Sequence, residues 1–184
     1  DLSNINWYIG CDRGRSDRVF KGMIDEVALY CRALTQTEIR EQMHLTKLSS
    51  DVALKAYFQF NETSREVYNR ISAGSASLHG SATRTTSTAP VASGTSETQT
   101  VTSSGVKTFT VAGATLTFPS SGTLPNGDLC ITRLNSAPDQ LPNNYPSAEK
   151  NWIINNYGTN ASFAALTNMT LTGYGAISQN QAAI

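Results

Sequence analysis

Phe20-Lys21-Gly22-Met23-Ile24-Asp25-Glu26-Val27-Ala28-Leu29-Tyr30, followed after Cys31 by Arg32-Ala33-Leu34-Thr35-Gln36-Thr37-Glu38-Ile39, is the stretch from which the fold is read. Taken as a strand from Met23 to Tyr30, alternation puts Met23, Asp25, Val27 and Leu29 on one face and Ile24, Glu26, Ala28 and Tyr30 on the other. One carboxylate then stands in an apolar row. A buried, ionised Asp is costly unless it is paired, hydrogen-bonded or bound to a metal, so Asp25 needs a partner that this segment does not supply. Glu26, on the opposite face, reads as a surface or cross-strand partner.

The residues that follow carry a helix start. Thr35 as N-cap with Glu38 at the third helical position makes a capping box, and Leu34 and Ile39 flank it as a hydrophobic staple. Ile39 and Met43 share a face, which predicts a short helix from about Gln36 to His44 packed on a sheet. Before the opening stretch, Asn6-Trp7-Tyr8-Ile9-Gly10 reads as a strand, and the charged turn from Asp12 to Arg18 closes a hairpin. Only one of Trp7 and Tyr8, which alternate, is expected in the core. Leu54 to Glu62 alternates in part and is a further strand.

Beyond position 71 the composition changes. Ten of the 14 basic and ten of the 14 acidic residues precede it, and the remainder is rich in Ser, Thr, Asn and Gly. That shift predicts two unlike modules. In the second, strands are expected at 105–111, 114–118, 127–134, 150–157 and 169–174, with a linker or first strand edge at 91–99; short β-rich runs between Gly, Pro and Asn turns indicate an antiparallel sandwich.

The charges cancel, and charged residues make up 15% of the chain, so nothing in the balance points to nucleic acid or an anionic membrane surface. No run approaches the roughly 18 apolar residues of a membrane-spanning helix. Three cysteines, Cys11, Cys31 and Cys130, cannot all pair internally. A Cys11–Cys31 bridge is conceivable, but hairpin register sets Cys11 opposite about Lys21, which favours free thiols.

The pattern of Phe20, Gly22, Ile24, Asp25, Glu26, Val27 and Tyr30, then Arg32, Ala33, Leu34, Thr35, Glu38 and Ile39, resembles the C-terminal end of a laminin-G-like, concanavalin A-like jelly roll of large secreted bacterial proteins. Leu54-Lys55-Ala56-Tyr57-Phe58-Gln59-Phe60-Asn61-Glu62 resembles a segment that opens such domains and recurs after them in Bacteroidetes. Arg133-Leu134-Asn135, Pro138, Gln140-Leu141-Pro142 and Trp152 to Gly158 resemble a β-sandwich module found downstream of them in proteins exported by type IX secretion. The resemblance implies an all-β chain: a partial concanavalin A-like jelly roll with one short helix, then an antiparallel β-sandwich module. It also implies boundaries at 1–46 for the jelly-roll end, 47–92 for a terminal strand set and linker, and 93–184 for the sandwich, expected to lack its last strands. A jelly roll of this kind needs many more strands than this, so the chain is read as a piece of a larger protein.

In such domains a carboxylate at the place of Asp25 often helps to bind a structural calcium, which takes roughly six to eight oxygen ligands. The alternative for Asp25 is a set of backbone N–H bonds at a strand edge. Glycan binding draws on aromatic rings beside amides, a chemistry that Trp152 offers with Asn151, Asn155, Asn156 and Tyr157. Yet Trp152-Ile153-Ile154 also reads as a buried strand, which favours core packing. His44 and His79 have no Cys or His neighbours at metal-ligand spacing. The paired carboxylates of laminarinase-type enzymes at E-x-D-x-E spacing do not occur, nor does a nucleophile elbow or a phosphate loop, so no catalytic activity is expected. Sequons at Asn61, Asn160 and Asn168 are uninformative in a bacterial protein.

The sequence therefore predicts part of a secreted or outer-membrane-surface adhesin, with a role in carbohydrate recognition or structure and possible service in gliding or attachment. Its expected partners are glycans and other domains of the same protein, with neither nucleic acid binding nor membrane insertion. The alternative is an accessory, non-catalytic region of a secreted polysaccharide-degrading enzyme.

Overall fold

Strands paired antiparallel and one short helix make an all-β fold in a computed structural model that describes residues 7–12, 17–48, 50–136, 150–173 and 175–177. The chain divides into two compact units, Asp1–Cys31 with Ser49–Thr85, and Arg32–Leu48 with Thr86–Ile184.

The first unit is built from pairs of strands. β1 (Val27–Tyr30) lies antiparallel to β2 (Leu54–Phe58), and β3 (Glu66–Tyr68) to β4 (Ser75–Ser77). β1 is shorter than the alternation from Met23 predicts. Glu26 adopts φ 52, a left-handed conformation that interrupts the pleat, so Asp25 precedes the strand and stands in no apolar row. Met23 is 71% exposed. β2 ends early in the same way: Phe60 has φ 57, and its carbonyl accepts from Arg84 Nη1 at 2.7 Å. In place of a third strand, Asn69 Oδ1 accepts the Tyr57 N–H at 3.0 Å, and the Arg70 N–H donates to the Tyr57 carbonyl at 2.9 Å.

The first residues pair less than expected. An isolated bridge joins Cys11 to Val19, so Cys11 lies two residues from its predicted register, and the Phe20 N–H donates to Gly10 O at 2.7 Å. All three cysteines are free.

The second unit is a β-sandwich with open edges. One sheet has the order β5 (Gly94–Val101), β8 (Gly127–Leu134), β9 (Asn151–Asn156); the other runs β11 (Gly175–Ile177), β10 (Asn168–Leu171), β7 (Ala114–Phe118), β6 (Gly105–Phe109). The segment read as a linker or strand edge thus forms a full strand, β5, paired with β8 over eight residues. Alternation does the packing. Ala114, Leu116 and Phe118 of β7 point inward against Leu129 and Ile131 of β8, Val101, Phe109, Met169 and Leu171. Burying each large apolar side chain is worth about 1.5–3 kcal/mol, which makes this core the main source of order in the unit.

β8 is buried on both faces. Leu129 and Ile131 meet the core, while Cys130, Thr132 and Leu134 on the outer face are also fully inaccessible. Strands buried on both sides read as nearly continuous apolar runs, as Leu129-Cys130-Ile131 does. Gly94 lets β5 approach closely here, because a Cβ on it would fall 2.0 Å from the Arg133 carbonyl oxygen. At the seam between the sheets, β5 side chains satisfy the β6 side: Gln99 Nε2 donates to Thr108 O at 2.6 Å, and Glu97 Oε2 accepts the Val111 N–H at 2.7 Å. An edge stitched in this way is a poor template for another chain.

Candidate functional site

The helix α1 (Gln36–Gln42) is held at its start by the predicted capping box. The Glu38 N–H donates to Thr35 Oγ1 at 3.2 Å, and Glu38 Oε2 accepts the Thr35 N–H at 2.7 Å. Arg32 reaches the same carboxylate at 2.5 Å. Hydrogen bonds from Arg32 first, and then from Thr35, lower the Glu38 pKa from 4.5 to about 2.

The docking face of α1 differs from the one its apolar residues predict. Ile39 is 55% exposed, and no residue of the helix is buried. Polar residues hold it to the outer side of β5 and β8. Arg40 Nη1 bonds Asp128 Oδ2 at 2.9 Å, while Asp128 Oδ1 accepts from Thr100 Oγ1 at 2.6 Å. Glu41 Oε1 accepts the Thr98 N–H at 2.8 Å, and the Cys130 thiol lies 3.6 Å from Arg40 O. The Arg40 guanidinium also stacks over the Tyr157 ring, 4.2 Å from its centroid, a cation–π contact. An ion pair, a backbone bond and a stacked ring thus converge on one turn of helix, over the strand that is buried on both faces.

The predicted ligand residues fall on opposite sides of β9. Trp152 packs against the core, and its indole N–H donates to Ala112 O at 2.8 Å. Asn155 and Tyr157 lie on the other side, under the α1 segment: the Asn155 amide meets His44 Nε2 at 3.1 Å, and the Tyr157 hydroxyl donates to Met43 Sδ at 3.0 Å. These three residues therefore form no common sugar platform. Burial pushes the Tyr157 phenol above its ordinary value and the His44 imidazole below 6.5.

Asp25 is half-buried, and its Oδ1 accepts the N–H of the adjacent Glu26 at 2.9 Å. The Glu26 carboxylate is taken by the hydroxyl of Tyr57, a cross-strand partner that is 1% exposed. No group of three or more His, Cys, Asp or Glu side chains able to hold a metal ion occurs among the described residues. Asp25 alone does not supply a calcium shell. His79 is exposed in a turn.

Sequence reasoning missed Arg40 and Asp128. They are 88 positions apart, and no local spacing marks either one. The sandwich also carries an open depression of about 520 Å³ lined by Thr123 and residues 159–164, with no titratable side chain in its wall. Among protein-family models, curated proteins and solved structures, none matches this chain.

Proposed function

We propose that the chain is part of a secreted or cell-surface bacterial adhesin, in which the first unit takes part in carbohydrate recognition and the second serves as a spacer. The observation that carries this reading is the exposure of aromatic rings along the segment that resembles a laminin-G-like domain: Trp7 is 62%, Tyr8 46% and Phe20 60% exposed. Such rings are the usual stacking platforms for sugars, with polar edges that hydrogen-bond the hydroxyls. The second unit supports a spacer role, since its core is sealed, the outer face of β8 is covered and its β5–β6 seam is stitched by side chains. Calcium at Asp25 belongs to the same proposal and would need oxygen donors beyond a cluster of His, Cys, Asp and Glu side chains, since none occurs among the described residues.

A glycan array probed with the full chain tests the reading. Binding to a defined set of glycans, lost in Trp7→Ala, is the expected result. Silence across the array would remove carbohydrate recognition and leave the spacer role alone.

A further inference from the structure

Six arginines outside Arg133 are described, and each has a partner. Arg18, Arg32, Arg40 and Arg70 reach Asp12, Glu38, Asp128 and Glu62, Arg84 holds three carbonyls, and Arg65 bonds Leu78 O. Arg133 differs. Among the described residues it enters no ion pair, and its buried Nε has no hydrogen-bond partner there. A guanidinium stays charged at any working pH, and a partly buried one without a counter-charge is costly. Its setting explains how it is held. Arg133 follows Leu129 and Ile131 along the core face of β8, opposite Thr95 on β5 and Trp152 on β9. The guanidinium lies against Gly113, which has φ 65: a Cβ there would stand 3.2 Å from Arg133 Nη1 and 2.8 Å from Thr172 Oγ1. A bare glycine thus lets a charged donor and the exposed Thr172 hydroxyl converge at one end of the sandwich.

The geometry points to an oxyanion-binding site at this end of the sandwich, in which Arg133, beside the Gly113 turn, receives the carboxylate or sulfate of an acidic saccharide. A guanidinium matches both groups through paired N–H bonds, while the Thr172 hydroxyl donates to Gly113 O at 3.0 Å and fixes the turn beside it. The identity of the ligand rests on the carbohydrate reading and extends it from the first unit to the second, whereas the oxyanion chemistry rests on Arg133 itself.

Calorimetric titration of the full chain with an oligogalacturonate, a sulfated oligosaccharide and a neutral oligosaccharide of equal length tests the site, the first two arms separating carboxylate from sulfate. At least one acidic ligand is expected to bind, with affinity falling roughly 10- to 100-fold in Arg133→Gln and less in Arg133→Lys. Affinity for the neutral ligand is expected to be unchanged by these substitutions. Acidic ligands that bind Arg133→Gln as tightly as the parent chain would overturn the site. So would neutral binding without acidic binding, which leaves the carbohydrate reading standing. Silence toward all three ligands, together with a silent glycan array, would overturn both.

Discussion

The two units keep their order by different means. In the second, two sheets face one another, and Phe109, Leu116, Leu129 and Ile131 are wholly inaccessible. In the first, sheets of two strands carry a smaller buried set, Ala53, Leu54, Tyr57 and Val67, while Val52, Met23, Trp7 and Phe20 are 60% or more exposed. Polar side chains fasten that unit instead. Arg84 donates to the carbonyls of Phe60, Ser64 and Glu66 at 2.7–2.9 Å, Asn69 holds Tyr57, and the Tyr57 hydroxyl holds Glu26. A facing sheet removes water by volume, whereas a two-stranded ribbon must satisfy its backbone group by group. The second unit should therefore be sensitive to lost volume and the first to lost hydrogen bonds.

The contrast breaks most readily in the sandwich core. Phe109→Ala is expected to cost about 3–5 kcal/mol, while Met23→Ala, at an exposed position, should change stability by less than about 0.5 kcal/mol. The chain has one tryptophan in each unit, Trp7 and Trp152, so urea denaturation followed by fluorescence in single-tryptophan variants assigns each loss to its unit. Equal losses would erase the distinction. Next in size is Arg84→Met, which keeps much of the side-chain volume and strips three bonds from the carbonyls. A loss of about 2 kcal/mol, read from Trp7, is expected; a neutral result would show that the ribbon does not depend on its polar fastening.

The smallest expected effect is that of pH on the α1 segment. The folded pKa of Glu38, about 2, lies below its ordinary 4.5, so its contribution is present above pH 4.5 and is lost as pH falls from there toward 2. His44, also lowered, makes folding less favourable as pH drops below 6.5, because the unfolded chain takes up the proton first. The protection of first-turn α1 amides against hydrogen exchange, relative to the unfolded chain at the same pH, should therefore fall in acid, with the lower step missing in Glu38→Gln. A low-pH step that persists in Glu38→Gln would assign it to other carboxylates.

Much of the second unit was legible because alternation and turn residues are local. The strand expected at 127–134 forms over those residues, and the capping box of Thr35 and Glu38 forms as spaced. β5 was harder to read, since Gly94-Thr95-Ser96-Glu97-Thr98-Gln99 carries no apolar face; pairing with β8 makes it a strand. The left-handed turns at Glu26 and Phe60 left no mark either, because neither residue type prefers that conformation. Of the expected site, Trp152 took the core position that its apolar run favours, while Asn155 and Tyr157 were claimed by His44 and Met43, more than 100 residues away in sequence. The helix was read from its own sequence as apolar-faced. Its polar docking depends on Asp128 and Tyr157, which no local pattern connects to it.

That polar docking of α1 on the sandwich is the central structural claim, and a double-mutant cycle between Arg40 and Asp128 tests it most directly. Arg40→Ala, Asp128→Ala and the double variant, compared by urea denaturation at pH 7, should give a coupling energy of about 1–3 kcal/mol for this partly buried, hydrogen-bonded pair. Additive losses, with no coupling between the two positions, would contradict the account.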